Sequence, residues 1–141
     1  MENLVKSLIN KRHRCMCPGS NHAAVFFGAS ILGYGENKPN SLRHAPTIHA
    51  EVSAAENLPN RTNKRLKRVD LLVLRINPSG TVGSSKPCIE CARFLSEVLP
   101  RRGYILDRIH YSTRCNEIVS TRFRDVTNFH LTKNKILRDV F

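Results

Sequence analysis

The sequence predicts an α/β fold, a five-stranded mixed sheet with helices on both faces whose last two strands form an antiparallel hairpin. Three observations lead there. Runs of β-type residues at 23–28, 69–77 and 104–112 are separated by helical patterns that open near residue 48 and at Pro87. The run 69–77 is apolar almost throughout, as expected of a strand covered on both faces. Only Thr113-Arg114-Cys115-Asn116 separate the strand ending at residue 112 from the next β-rich stretch. That gap is too short for a crossover helix, so the last strand returns antiparallel.

The elements follow in order. Residues 2–10 place Leu4, Val5, Leu8 and Ile9 on one helical face. A loop runs through Cys17-Pro18-Gly19-Ser20-Asn21, and strands at 23–28 and 30–34 are joined by a tight turn at Gly28-Ala29-Ser30. Residues 36–46 read as a loop. A helix then spans 48 to 57 or 58, with Thr47 as its N-cap and Pro59-Asn60 as its stop. Residues 61–68 form a basic connector into the central strand 69–77, and turn chemistry occupies 78–85. Pro87 falls in the first turn of a second helix, where Cys91, Phe94, Leu95 and Val98 recur at helical spacing before Pro100 ends it. Strands at 104–112 and 117–123 follow, and Ile136, Leu137, Val140 and Phe141 suggest a final helix within 126–141. Without repeats, low-complexity blocks or a linker, residues 1–141 read as a single domain.

Composition narrows the class. A chain of 141 residues, 40% hydrophobic, buries a core without a disulfide framework. Its longest apolar stretch, 23–34, is broken by Gly28, Ser30 and Gly33, well short of the ~18 residues of a membrane span. The first residues alternate charge and apolarity instead of building a signal-peptide core, so an intracellular protein, cytoplasmic or nuclear, with no membrane partner is expected. Five cysteines in such a context point to metal or catalytic use. There are 23 Lys and Arg against 11 Asp and Glu, a net charge of +12 to which each half of the chain contributes equally. Fifteen of these cations are Arg, whose planar fork suits phosphate. A polyanion or a phosphorylated small molecule is the natural partner, and simple solubility is the alternative.

Two short segments carry chemistry. His49-Ala50-Glu51 opens the first crossover helix and Pro87-Cys88-Ile89-Glu90-Cys91 the second. Cys88 and Cys91, three apart, share a helix face, and the helix N-terminus favours their thiolates. With His49 as a neutral third ligand they suit a tetrahedral zinc that keeps one position for water, the pattern of a catalytic site. Glu51, two residues from His49, is placed to move protons at that water without ligating. The alternatives are a structural zinc knuckle closed by Cys115, Cys15 or Cys17, and an inactive fold that retains the metal. Cys15 and Cys17, with His13 and His22, fit no strong metal template and read as incidental thiols. His44, before the first motif, and Tyr111, ending the fourth strand, are candidates for lining a substrate pocket. Tyr111 either stacks on a base or closes the core.

His-x-Glu with Pro-Cys-x-x-Cys, in this order and on successive crossover helices, resembles the cytidine deaminase superfamily of zinc-dependent nucleobase deaminases. The resemblance implies a cytidine-deaminase-like three-layer fold in which His49, Cys88 and Cys91 hold zinc and Glu51 shuttles protons. It further implies that Asn37, in the Gly35-Glu36-Asn37 turn, contacts sugar or base. His49 stands where free cytidine deaminases usually have Cys, the terminal hairpin replaces a helix-linked strand pair, and Lys86 adds a cation before Pro87. Conversion of cytosine to uracil is expected ahead of adenine to hypoxanthine, and the hairpin ending and the charge favour a base within single-stranded or flipped-out RNA or DNA. A free cytidine or nucleotide deaminase and a non-catalytic zinc-containing nucleic-acid-binding module are the alternatives, and a homo-oligomer is left open.

Overall fold

The computed structural model describes residues 2–14, 22–40, 45–61, 65–77, 79 and 81–126. Helix α1 (Glu2–Arg14) is followed by β1 (His22–Phe27) and β2 (Ile31–Glu36), an antiparallel pair as expected. The principal sheet has the order β2-β1-β5-β7-β8, where β5 is Lys67–Ile76, β7 is Tyr104–Ser112 and β8 is Ile118–Arg122. Only β5 and β7 run parallel, and β7 and β8 form the terminal antiparallel hairpin. A short sixth strand, β6 (Val82–Gly83), pairs with the end of β5 inside the stretch read as turn.

Strand periodicity divides the core into two layers. On one face Ala24, Phe26, Val69, Leu71 and Val73 meet helices α2 (Ala50–Glu56) and α3 (Ile89–Glu97) through Ala50, Ala54, Ala55 and Leu95. On the other, Val25, Leu72, Leu74 and Ile76 lie under α1, whose Leu8 is buried with Leu4, Val5 and Ile9 packed around it. β5 is therefore covered on both sides, which is why its sequence is so continuously apolar. Opposite Val69 and Leu71 of β5, β7 carries one extra residue between Leu106 and Ile109, so that Tyr104, Leu106, Ile109 and Tyr111 all face the α2–α3 layer despite their odd and even numbers.

Three expectations are corrected. Residues 36–46 are not simply loop, because β3 (Lys38–Asn40) and β4 (Ala45–Ile48) pair antiparallel there. Thr47 consequently lies in a strand. The N-cap of α2 is His49, with extended backbone, and that of α3 is Cys88, so Pro87 precedes the cap instead of entering the first turn. The proposed C-terminal helix lies outside the described residues, as do Cys15 and Cys17. No described helix is long and apolar enough to cross a membrane.

Candidate active site

Both chemistry-bearing segments sit where a helix begins. His49 and Cys88 occupy the N-cap positions of α2 and α3, and their carbonyls close the first turns by accepting from Ser53 N (3.0 Å) and Ala92 N (2.9 Å). Cys91 lies one turn further, on the same side of α3 as Cys88. α2 is pressed onto β2 at two glycines, since a Cβ on Gly33 would stand 2.7 Å from the Ala54 carbonyl oxygen and one on Gly35 would overlap the Ala54 nitrogen. At its other end the start of α2 meets α3, where His49 reaches Cys91.

The segment leading to Cys88 is fastened from beneath by two buried serines. Ser85 Oγ donates to the Val73 carbonyl (2.7 Å) and accepts from Ser112 N (2.7 Å), while Ser112 Oγ donates to the Gly83 carbonyl (2.5 Å). The two hydroxyl oxygens are themselves 2.7 Å apart. Ser85 N in turn bonds the Ser112 carbonyl (2.9 Å). The loop before α3 is thereby tied to the C-terminal ends of both parallel strands, the end at which open α/β sheets place their sites. The sequence reading missed this pair, whose only signal is two small polar residues amid strand and turn.

His49, Cys88 and Cys91 converge, with their ligand atoms all within 4.8 Å of one another. His49 Nδ1 is 3.5 Å from Cys88 Sγ and 2.9 Å from Cys91 Sγ. Tetrahedral zinc with ordinary Zn–S and Zn–N bonds asks for about 3.5 Å between nitrogen and sulfur, so one spacing matches and the other needs to open by about half an ångström. The soft, thiolate-rich donor set and its spacing fit zinc. Among the described residues no fourth donor joins them, and Cys115 lies exposed in the β7–β8 turn.

The electrostatics are coupled. The Cys88 thiol is lowered to about 4, chiefly by the hydrogen bond from Cys91 and also by His49, against the effect of burial. Cys91 is pushed up by that same bond and by burial. Its hydrogen bond with Cys88 raises His49, with burial opposing. Glu51, buried at 5% exposure, is raised by burial and drawn back by a hydrogen bond with Cys91 and by the charge of His49. The cluster thus pairs a thiol whose ionised form is favoured with a buried carboxyl group whose protonated form is favoured.

The other predicted residues separate. Asn37 is buried, and its Oδ1 accepts from His22 N at 2.8 Å, fastening the end of the β1–β2 hairpin. It directly precedes Lys38, which pairs with Ile48 beside His49. Tyr111 is half-buried and packs on the α2–α3 core layer at the end of β7. His44 lies outside the described residues.

No curated protein sequence matches the chain. Among solved structures it is similar to the dCMP deaminase of cyanophage S-TIM5 in complex with dCMP and dUMP. That likeness has 15% identity and a TM-score of 0.46, and it covers 75% of this chain and 93% of the other. The apo form of the same enzyme gives 14% identity and a TM-score of 0.43, covering 75% and 97%. Residues 1–106 match the family described as the cytidine and deoxycytidylate deaminase zinc-binding region. Three quarters of the sequence lies within that match, and the chain belongs to this family of zinc-dependent hydrolytic deaminases.

Proposed function

We propose that the chain converts cytosine to uracil in a nucleotide unit of single-stranded or flipped-out RNA or DNA, with His49, Cys88 and Cys91 as zinc ligands and Glu51 as the proton carrier. The observation that carries this reading is Glu51, a carboxyl group buried beside three zinc-type donors and in hydrogen-bond contact with one of them. Burying an acid is unfavourable unless the site uses it. Zinc bound by the three donors supplies a Lewis-acidic charge that eases the ionisation of water.

Glu51 takes one proton from water as the C4–O bond forms and passes it to the ring nitrogen, then takes the second from the new C4 hydroxyl and passes it to the exocyclic amine. The C4–N bond then breaks and ammonia leaves, so that water is consumed and no oxidant or reductant is needed. Asn37, His44 and Tyr111 are proposed to contact the sugar or base. A substrate within a strand is favoured by the charge of +12, spread evenly over the chain and more than one phosphate requires. A free nucleotide is the second reading, favoured by the deoxycytidylate deaminases that the family includes.

The test is ammonia release by the zinc-loaded protein from cytidine, dCMP, adenosine, and single-stranded DNA and RNA, with Glu51→Gln as control. Release from strands that exceeds release from monomers supports the reading. Activity on dCMP alone transfers it to the second, and no release from any of them removes the catalytic assignment.

A further inference from the structure

The end of the sheet opposite the zinc-type cluster carries a concentration of cations that the proposed chemistry does not use. Two segments form it. Arg61 reaches back so that its guanidinium lies 5.6 Å from the Tyr104 ring centre and donates to the Arg65 carbonyl (3.2 Å). Gly103, in the left-handed region at φ 93°, leaves room for the Arg61 stem, which a Cβ there would meet at 2.9 Å. Lys67 N bonds the Gly103 carbonyl (3.0 Å), while Lys67 and Arg68 pair with Tyr104 and Ile105. Arg101 and Arg102 immediately precede Gly103, in a 3₁₀ turn spanning Leu99–Arg102.

Among the described residues six cations are therefore gathered around the starts of β5 and β7. Arg61 and Arg102 have structural duties, the latter donating to the Ala55 carbonyl at the end of α2 (3.1 Å). Arg65, Lys67, Arg68 and Arg101 are exposed, and no carboxylate of the described residues lies within ion-pair distance of them. Exposed like charges on neighbouring chain positions, with no ion pair among the described residues, stand ready for a polyanion. Lys67 and Val73, the residue to which Ser85 ties the Cys88 loop, are roughly 20 Å apart at about 3.3 Å per strand residue. The patch is thus separate from the catalytic cluster.

We infer that this basic end is a docking surface for the sugar-phosphate backbone of a nucleic-acid strand. The inference rests on the reading above that the target base lies within a strand. Five of the six cations are Arg, suited to bidentate phosphate contact. Leu66 and Ile105, 45% and 42% exposed, lie among them and offer apolar surface to sugars and base faces. Two half-exposed aliphatic side chains on a rigid sheet end, with no amphipathic helix, are too little to insert into a bilayer. That favours nucleic acid over an anionic membrane.

The experiment measures binding of a fluorescent 20-nucleotide single strand by anisotropy across a salt series, which reads docking independently of turnover. Arg65→Gln, Lys67→Gln and Arg68→Gln combined should weaken binding and reduce the slope of log affinity against log salt by about 2, since each phosphate contact on a single strand contributes about 0.7. Arg101→Gln, from the second segment, should remove about 0.7 by itself. A charge-matched control, Lys6→Gln with Arg93→Gln and Arg124→Gln, takes exposed cations from elsewhere and should leave the slope in place. Melting temperature and zinc content verify that each variant is folded.

Equal weakening by both triple variants, or none by the first, overturns the docking surface. So does patch-dependent capture by phosphatidylserine vesicles in preference to the strand. Ammonia release from the same strand by the wild-type protein is scored separately. Docking without release counts against the substrate reading while the surface stands, and release without patch dependence counts against the surface alone.

Discussion

Gly35 and Ala54 meet backbone to backbone, with no room between them for a methyl group. A Cβ at Gly35 would overlap the Ala54 nitrogen and stand 2.6 Å from the Ser53 carbonyl carbon, atoms of a helix that cannot swing aside as a side chain does. This contact fixes how deeply α2 sits on β2, and α2 begins at the residue after His49 and carries Glu51. Gly35→Ala is accordingly expected to lose stability at or above the upper end of the ~1–3 kcal/mol usual for overpacking. Zinc affinity should fall with it as His49 is displaced from the two cysteines. Denaturant unfolding and a zinc titration on the same sample check both, and an unchanged zinc affinity would dissociate the helix seat from the metal site.

Glu51→Gln keeps the size of a buried side chain and removes its ability to take up a proton. Fold and zinc content should persist, because Glu51 is not one of the three clustered donors. Turnover should fall by about 10²–10⁴, the usual contribution of a positioned acid or base. Metal analysis alongside an ammonia assay makes the comparison. Loss of zinc in this variant would mean that the carboxylate is a ligand.

Metal uptake should release protons in a number set by the unequal cysteines. Hydrogen bonding from Cys91 lowers Cys88 to about 4, so it is already ionised at pH 7. Cys91, pushed up by its bond to Cys88, must give up its proton to bind, and His49, raised by the same partner, gives up a further fraction. Zinc binding to the metal-free protein at pH 7 should therefore release about one to two protons. Calorimetry in buffers of different ionisation enthalpy measures this. Release of none would contradict the assigned protonation of the pair.

The parts of this molecule legible in its sequence are those governed by periodicity and by spacing. The run 69–77 announced a buried central strand, and the interval between residues 112 and 117 forced the terminal hairpin that β7 and β8 form. His49, Cys88 and Cys91 were legible because one histidine and two cysteines at successive helix starts are a donor pattern rare outside metal sites. What remained hidden depends on contacts between distant segments. The β3–β4 pair is short and follows no alternation, so residues 36–46 resembled a loop. Gly33 and Gly35 read only as interruptions of a strand until α2 was laid across them. Ser85 and Ser112, 27 positions apart, gain their meaning from a fold that buries both hydroxyls together. The basic end needed the pairing of β5 with β7 to bring Lys67 and Arg68 alongside residues 103–105, next in sequence to Arg101 and Arg102.

His110 provides a test of pH dependence away from the zinc cluster. It lies on the α1 side of the sheet, 7% exposed, with Nδ1 2.6 Å from Ser120 Oγ and its ring 5.8 Å from that of Phe27. Burial lowers its pKa below the ordinary 6.5, and the Asp70 carboxylate, 3.7 Å from Nε2, only partly offsets this. Between the folded value and about 6.5 the unfolded chain binds more protons than the folded one, so stability rises with pH across that window. The contribution of neutral His110 is complete above about 6.5 and is lost as pH falls through the folded value. Melting temperatures taken from pH 7.5 to 5 should fall more steeply for the wild-type protein than for His110→Gln, which has no such group to titrate. Asp70→Asn should steepen the fall, because removing the offsetting charge lowers the folded pKa further. The comparison between variants cancels zinc loss on acidification, which is common to all three, and parallel curves for wild type and His110→Gln would show that this histidine does not set the acid limit of the fold.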